Sequence, residues 1–299
     1  MCIRNFEGLR EYVKNSSPKT VAVASAHDSH TLEAVLQAYD EGILDYVLTG
    51  KEEKILKCGE NLGYKIPREK IIPCSTDEEA AAICVRLVRE KKADFIQKGL
   101  MQTSVLLKAV VNKESGIGTG RKISHTALLD IPQYGKIAGV TDGGMILYPD
   151  LETKKSIVEN AVEMFHQFGY ERPMVAAVCP VEVVNPKMPE TVDAEALKSL
   201  ALNGGFGECY VEGPISFDLA VDKKSAEIKG YESPVTGNTD IFLVPDISAG
   251  NIMVKSLLEF AGARMAGCVI GAKCPIALNS RSAAFEEKYY SLLACAHMA

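Results

Sequence analysis

Short apolar segments that favour β-strands alternate with amphipathic segments that favour helices along most of this chain. Residues 20–26, TVAVASA, form a β-rich apolar run, and residues 31–42, TLEAVLQAYDEG, carry apolar residues at helical spacing before a glycine. The same order recurs at 46–49 and 51–62. A repeated succession of apolar strand and helix indicates parallel strands that are buried on both faces. We therefore predict an α/β fold with doubly wound sheets.

The alternation breaks between about residues 122 and 149. Residues 122–131, 136–142 and 143–149 read as three successive strands with few helical residues between them. The alternation resumes with a predicted helix over 151–168. Because a chain of 299 residues commonly forms two domains, we place a domain transition in this stretch.

The charge and the N-terminal segment exclude some classes of protein. A formal net charge of −6 argues against broad nucleic-acid binding, although a local basic patch could still hold phosphate. Charges interrupt every apolar run in MCIRNFEGLREYVKN, which has neither the basic start nor the continuous apolar stretch of a signal peptide. No segment offers the roughly 18 uninterrupted apolar residues that a membrane helix needs. We expect a cytoplasmic protein with no membrane partner.

Neither the cysteines nor the histidines have the spacing of a metal site. The nine cysteines include no C-x-x-C pair and match neither a zinc site nor a disulfide framework. We expect at least eight of them to be buried reduced thiols. His27 and His30 lie three residues apart, but no third ligand of matching spacing accompanies them. We predict no bound metal.

The glycine-rich segment 116–121, GIGTGR, suggests a nucleotide site at first sight. It follows a predicted helix and precedes a predicted strand, whereas a dinucleotide-binding turn follows a strand and opens a helix. A flexible turn is the preferred interpretation. Arg121 at its end is either an anion contact or a partner in an exposed ion pair.

Two further segments lie where a strand ends and a helix begins, which is the edge at which open α/β sheets bind ligands. In residues 245–252, PDISAGNI, the residues Ser248, Gly250 and Asn251 could bring backbone amides and a helix N-terminus to an anion. The alternative is a capped β–α turn with Asn251 as the N-cap. Position in the sequence leaves both interpretations open.

The second such segment is residues 279–282, NSRS, which precedes the last predicted helix. A hydroxyl and a guanidinium at a helix N-terminus suit a phosphate or an acyl phosphate. Ser280 and Glu287 are seven positions apart, so they share a helical face if the helix begins early enough. The alternative is an N-cap serine followed by Glu286 and Glu287 as ordinary first-turn acids.

Several segments, taken in order, resemble the phosphate acetyl/butyryltransferase family over nearly the whole chain. They are QKGL at 97–100 with Thr103 and Ser104, TDG at 141–143, EGPISFDLAV at 212–221, GNTDIFLVPDISAGNI at 237–252, and NSRS at 279–282. The resemblance implies two α/β domains related in fold to isocitrate and isopropylmalate dehydrogenases, with the active-site cleft between them. It also implies a discontinuous domain I of residues 1–132 plus 268–299, and a domain II of residues 133–267.

The same resemblance implies an enzyme that reversibly converts a short-chain acyl-CoA and phosphate to an acyl phosphate and free coenzyme A. The segment at Lys98 and Gly99, together with the lack of the N-terminal regulatory domains of long phosphate acetyltransferases, favours the butyryl-type branch and hence butyryl-CoA. Family members transfer the acyl group directly in a ternary complex and need no tightly bound cofactor. They assemble as dimers or larger homo-oligomers.

Individual roles also follow from the resemblance. Ser280 would stabilise the coenzyme A thiolate, Arg281 would orient the phosphate, and Glu287 would remove the thiol proton. Whether Glu286 or Glu287 reaches the substrates stays open. We predict the substrate contacts at Lys98, Thr103, Ser104, Arg121, Asp142, Ser248 and Asn251.

The chain departs from the family pattern at two places. Ala283 and Ala284 stand where the family commonly has Asp followed by Ser or Thr, and Gly143 stands where some acetyl-specific relatives carry a cysteine. Gly143 argues slightly against an acetyl-specific enzyme, but a phosphate acetyltransferase stays an alternative, because one methylene changes binding by only about 1–3 kcal/mol. A second is a metal- and NAD-dependent dehydrogenase of the same fold, although the aspartates are scattered and its arginine cluster is missing. A third is a non-catalytic paralogue, which the two alanines favour.

Overall fold

The structure is a computed structural model that describes residues 2–299, and it is an α/β protein. In chain order the helices are α1 (Phe6–Lys14), α2 (Ser29–Asp40), α3 (Glu52–Asn61), α4 (Asp77–Arg89), α5 (Thr103–Val110), α6 (Leu151–Gln167), α7 (Pro189–Leu202), α8 (Phe217–Val221), α9 (Lys223–Lys229), α10 (Ile247–Ala261) and α11 (Phe285–Met298). The strands are β1 (Lys19–Ala24), β2 (Leu44–Gly50), β3 (Ile71–Pro73), β4 (Phe95–Lys98), β5 (Ser124–Asp130), β6 (Ile137–Thr141), β7 (Met174–Val178), β8 (Tyr210–Ile215), β9 (Ile241–Leu243), β10 (Arg264–Ile270) and β11 (Ile276–Ala277). The predicted fold class is confirmed.

The chain forms two compact units. One, the terminal unit, comprises Phe6–Arg121 and Arg264–Ala299. The other, the central unit, comprises residues 2–5 and Lys122–Ala263. The domain limits expected from the sequence remain a prediction about independently folding domains, which compactness does not test.

The terminal unit is built on strands in the order β3-β2-β1-β4-β11-β10. β3, β2, β1, β4 and β11 run parallel to one another, and β10 is antiparallel to β11. Val21, Val23 and Ile96 in its middle strands are fully buried, as expected for strands covered on both faces. Helix α11 packs against α1, α2 and β10 and returns the C-terminal segment to this core.

The central unit has strands in the order β5-β6-β9-β7-β8. The hairpin of β5 and β6 is antiparallel, whereas β6, β9, β7 and β8 are parallel. Helices α6 and α7 bury apolar faces against this sheet, and Phe165 of α6 is among the largest fully buried side chains.

One prediction about secondary structure is wrong, and so is the N-cap at Asn251 that was left open as an alternative, both for the same physical reason. Residues 143–149 form bends and not a third strand, because the Asp142 carboxylate accepts the backbone N–H groups of Gly144 and Met145. Helix α10 begins at Ile247, with Asp246 as its N-cap, so Asn251 lies inside the helix and is not the cap. In both places an aspartate carboxylate accepts hydrogen bonds from backbone N–H groups two and three residues further on. Such bonds shape the backbone in a way that hydrophobic periodicity does not show.

The prediction for the cysteines is partly wrong. All nine are free thiols, but only five are buried; the four that are partly exposed are Cys2, Cys58, Cys74 and Cys209. No group of three or more His, Cys, Asp or Glu within residues 2–299 could hold a metal ion. Over the same residues, no helix is long and apolar enough to cross a membrane.

Candidate active site

A cluster of charged and polar side chains lies where β1, β4 and β11 of the terminal unit end. These three strands are parallel, so their carboxyl ends meet at one edge of the sheet, the edge that binds ligands in open α/β folds. We call this group the strand-edge cluster; its members are Asp28, Lys98, Asn279, Arg281, Glu287 and Lys288.

Lys98 ends β4 and is only 4% exposed. Its Nζ donates to the carbonyl oxygens of Gly99 and Met101, both at 3.3 Å. Gly99 must be glycine here, because a Cβ would lie 2.4 Å from the carbonyl oxygen of Ser25. Burial lowers the pKa of Lys98 to about 8, and the charges of Lys288 and Arg281 act in the same direction.

Two members of the strand-edge cluster, Lys288 and Asp28, form a buried ion pair. Lys288, in the first turns of α11, is 3% exposed, and its Nζ donates to the carboxylate of Asp28 and to Thr31 Oγ1 at 3.0 Å. Asp28 is also the N-cap of α2, accepting the Thr31 N–H at 3.2 Å. Burial alone would raise the pKa of Asp28, but hydrogen bonds from Lys288 and Thr31 outweigh it and lower that pKa.

Sequence reasoning missed this pair, although a signal was present. Lys288 shares a helical face with Leu292 and Cys295, both fully buried. A lysine within an apolar helical stripe is rarely tolerated unless it has a buried partner. Asp28 gave no comparable signal, because an aspartate before a helix is an ordinary N-cap.

Glu287 and Glu286 differ sharply in environment. Glu287 is half-buried, and its Oε1 accepts a hydrogen bond from Asn279 Nδ2 at 3.1 Å. Burial raises its pKa, and the Asn279 hydrogen bond and the Lys288 charge only partly oppose this. Glu286 is exposed and pairs with Arg264 at 3.7 Å. Glu287 is thus the one of the two that belongs to the strand-edge cluster.

Ser280 and Arg281 lie in the loop between β11 and α11, and both are exposed. Ser280 is not a helix cap: α11 begins at Phe285, and its N-cap is Ala284, which has no side-chain cap bond. Ser280 therefore does not share a helical face with Glu287. The loop is held by a contact of 3.1 Å between the Ala283 carbonyl oxygen and His30 Nδ1.

The remaining predicted residues of the terminal unit lie on α5 and after it. Thr103 and Ser104 are the first two residues of α5, and the preceding Gln102 gives no side-chain cap bond. Ser104 borders a cavity of about 600 Å³ between α4 and α5, which is also lined by Arg86, Arg89 and Lys108. Arg121 is exposed in the segment between α5 and β5, which confirms that GIGTGR is not a strand-to-helix turn.

The predicted residues of the central unit are Asp142, Ser248 and Asn251. The buried carboxylate of Asp142 accepts three backbone N–H groups, from His125 at 2.8 Å, Gly144 at 2.9 Å and Met145 at 2.8 Å. Asn251 Nδ2 donates to the Gly143 carbonyl oxygen at 3.4 Å, and the Ser248 N–H is bonded to Asp246. A Cβ at Gly143 would lie 2.7 Å from the backbone of Gly250, so the cysteine of some relatives would not fit without rearrangement.

The chemistry available in the strand-edge cluster follows from these charges. Three cations, Lys98, Arg281 and Lys288, outnumber the carboxylates of Asp28 and Glu287 when all are ionised. The cluster therefore favours an added anion. A half-buried carboxylate with a raised pKa beside that anion site is suited to accept a proton.

Comparison with known proteins gives consistent similarities. The family described as phosphate acetyl/butaryl transferase matches residues 75–296. A phosphate butyryltransferase of Clostridium acetobutylicum is 37% identical over 99% of both chains. A phosphate acetyltransferase of Thermotoga maritima is 38% identical over 92% of this chain and 93% of its own.

Solved structures agree with the fold. A branched-chain phosphotransacylase from Enterococcus faecalis superposes with a TM-score of 0.83 and 33% identity, covering 94% of this chain and 98% of its own. A 4-hydroxythreonine-4-phosphate dehydrogenase from Klebsiella pneumoniae superposes with a TM-score of 0.55 at 13% identity, over 95% of this chain and all of its own. The second likeness concerns the fold alone, and it agrees with the predicted dehydrogenase-like architecture.

Proposed function

Because the chain belongs to the phosphate acetyl/butaryl transferase family, we propose that it exchanges phosphate for coenzyme A on a short-chain acyl group. The resemblance seen in the sequence motifs is confirmed by the family match. The reaction converts an acyl-CoA and phosphate reversibly to an acyl phosphate and free coenzyme A. We place it in the cytoplasm, without a tightly bound cofactor and in a homo-oligomer, whose size sedimentation equilibrium would measure.

The transfer is direct, with both substrates bound together. In the direction that forms the thioester, Glu287 removes the thiol proton of coenzyme A, and the thiolate attacks the carbonyl carbon of the acyl phosphate. The bond between that carbon and the bridging oxygen breaks, and phosphate leaves with the electron pair. Ser280 stabilises the thiolate and Arg281 orients the phosphate, while Lys98 adds positive charge where the leaving anion develops.

The observation that carries this proposal is the hydrogen bond of 3.1 Å between Asn279 and Glu287. It ties the loop that contains Ser280 and Arg281 to the first turn of α11. The charge of Arg281 is also near enough to lower the pKa of Lys98. A proton acceptor and two phosphate-binding cations are therefore gathered at one edge of the terminal-unit sheet.

Further substrate contacts are proposed on the strength of the motifs. They are Thr103, Ser104, Arg121, Asp142, Ser248 and Asn251. For Asp142 the contact would come through the loop that it shapes, since its carboxylate already accepts three backbone N–H groups.

The acyl group is proposed to be butyryl or another short chain. The relatives are named for butyryl, acetyl and branched-chain groups at 33–38% identity. One methylene changes transition-state binding by only about 1–3 kcal/mol, so a pocket for four carbons still accepts its neighbours at reduced rates.

The test is phosphate-dependent release of free thiol from acetyl-, butyryl-, isobutyryl- and valeryl-CoA. We expect release only when phosphate is present, the highest kcat/KM near four carbons, and a loss of at least about 100-fold in Arg281→Ala. Glu286→Gln is the matched control for Glu287→Gln, because Glu286 is exposed and outside the cluster. Folded protein that releases no thiol from any of the four substrates would contradict the proposed activity and favour the non-catalytic alternative, and Ala283 and Ala284 would be the first departures to revert.

A further inference from the structure

Asn279 is a buried loop residue whose side-chain nitrogen donates two hydrogen bonds. It is 4% exposed, and its Nδ2 donates to Glu287 Oε1 at 3.1 Å and to Ser291 Oγ at 2.8 Å. Ser291 Oγ in turn donates to the backbone carbonyl of Glu287 at 2.7 Å and accepts the Gly267 N–H at 2.8 Å. Asn279 thus binds the side chain of Glu287, Ser291 binds its backbone carbonyl, and Asn279 and Ser291 are bonded to each other.

The hydrogen-bonding capacity of Ser291 determines which way the Asn279 amide points. A serine hydroxyl donates one hydrogen bond, and that of Ser291 is used on the Glu287 carbonyl. If the amide were flipped, its oxygen would face two other acceptors, the lone pairs of Ser291 Oγ and the Glu287 carboxylate, with no hydrogen between them. The amide N–H groups must therefore face Glu287.

We propose that Asn279 is a positioning residue of the transfer reaction, which with Ser291 fixes the Glu287 side chain and keeps it in its ionised form. The inference rests on the proposed role of Glu287 as the base. Only an ionised carboxylate can take the thiol proton, and a hydrogen bond donated to a carboxylate favours that form.

The surroundings of Glu287 leave this task largely to Asn279. Burial raises the pKa of Glu287, and Asn279 is the strongest opposing influence, followed by the charge of Lys288. Charged groups also lie on the elements packed against α11: Asp28 before α2, Lys98 in β4, Arg264 in β10, Lys19 in β1, and Glu7 and Arg10 in α1. Asp28 is bonded to Lys288, while Arg264 pairs with Glu7 and Glu286.

A second observation separates function from packing. The Asn279 Oδ1 atom is buried without a hydrogen-bond partner among the described residues. A buried acceptor without a partner is destabilising, and an apolar residue of similar size would avoid that cost. The asparagine is thus better explained by what its N–H groups do for Glu287 than by core packing.

The experiment measures the ionisation of Glu287 directly. Protein labelled with ¹³C at the glutamate carboxyl carbon is titrated by NMR, and the Glu287 signal is assigned by its loss in Glu287→Gln. We expect the midpoint to rise by about one pH unit in Asn279→Leu, which removes the donor, and by more in Asn279→Asp, which adds a like charge. Unchanged midpoints in both variants would overturn the proposal.

The kinetic measurement distinguishes this inference from the proposed function. If Glu287 is the base, the acid limb of kcat/KM for thioester formation moves to higher pH together with the NMR midpoint. We call Asn279 and Ser291 together the clamp. If the NMR midpoint moves and the acid limb of kcat/KM does not, the assignment of Glu287 as the base is contradicted, while the effect of the clamp on the ionisation of Glu287 is upheld.

Two further variants keep the test independent of folding. Ser291→Ala removes the hydroxyl that is bonded to Asn279 and should raise the Glu287 midpoint by less than Asn279→Leu does. This variant replaces Asn279→Leu in the test if Asn279→Leu does not fold. Thr49→Val is the matched control, because Thr49 is a buried hydroxyl of the same unit bonded to the Val23 carbonyl at 2.9 Å. It should lower stability without moving the Glu287 midpoint.

Discussion

Lys98 is a buried cation whose pKa is lowered from its ordinary value, mainly by burial. Since its pKa is lowered to about 8, its ammonium group is charged below that pH and increasingly neutral above it. Binding of phosphate should weaken as the charge is lost. We expect the ratio of the KM for phosphate in the wild type to that in Lys98→Arg to be constant below about pH 7 and to rise through pH 8–9, as measured by initial rates of thiol release; the ratio cancels the ionisation of phosphate itself.

The matched variant for this prediction is Lys98→Arg. A guanidinium stays charged throughout this range, so the rise in KM should disappear even if the absolute KM is higher. Lys98→Met should have a high KM at every pH. A KM that rises equally in the wild type and in Lys98→Arg would show that another group titrates.

At this scale the motifs name Lys98, Arg281 and Glu287 but not the surroundings of each side chain. Their roles stay predictions, and nothing in a linear pattern separates Glu287 from Glu286. The two differ because α11 begins at Phe285, which turns one glutamate toward Asn279 and leaves the other in solvent beside Arg264. That start depends on contacts of the preceding loop, including the one with His30.

At the scale of elements, α11 begins without a side-chain cap. Ala284 has the extended backbone of an N-cap, with φ −68° and ψ 165°, and it is exposed. Ala284→Ser should supply the missing acceptor for a first-turn N–H and stabilise the protein by about 0.5–2 kcal/mol. Urea unfolding at neutral pH measures this. Serine is preferred to aspartate because it adds no charge near Glu287.

The neighbouring alanine provides the control for this variant. Ala283 is 5% exposed, so Ala283→Ser buries a hydroxyl and should lower stability or leave it unchanged. Equal stabilisation by both substitutions would contradict the capping explanation. Stabilisation by Ala284→Ser alone would show that the two alanines differ in role: Ala283 packs in the interior, and Ala284 leaves α11 uncapped.

Elements were predicted well where apolar periodicity is strong and less well where aspartates intervene. Strand β1 and helices α2 and α6 lie close to their predicted positions because burial and helical spacing agree there. The strand predicted after β6 and the N-cap considered at Asn251 were wrong, because Asp142 and Asp246 accept hydrogen bonds from nearby backbone N–H groups. Such local hydrogen bonds compete with regular structure and leave no trace in periodicity.

At the scale of the whole molecule, the order of strands could not be read from the sequence. Strand β11 has only two residues, Ile276 and Ala277, yet it lies between β4 and β10 and places Asn279 at the carboxyl edge beside Lys98. A two-residue strand has no periodicity to detect. Its position depends on pairing with β4, which is about 180 residues earlier in the chain.

The ion pair of Asp28 and Lys288 joins positions 260 residues apart and links the first β–α loop to the last helix. Asp28→Asn leaves the buried Lys288 ammonium without a carboxylate, so it should lower the free energy of unfolding by about 3–5 kcal/mol. Lys288→Met should lower it by less, because Asp28 is only half-buried and still accepts the Thr31 N–H. The double variant should be more stable than Asp28→Asn alone. Urea unfolding at pH 7 measures all four proteins, and strictly additive losses would show that the pair is not coupled.

Because the pKa of Asp28 is lowered on folding, the contribution of Asp28 to stability is complete above the ordinary value of 3.8 and is lost as pH falls through the lower folded value. Wild type should therefore lose its advantage over Asp28→Asn only below about pH 4, and a difference that fades already at pH 6 would contradict this assignment.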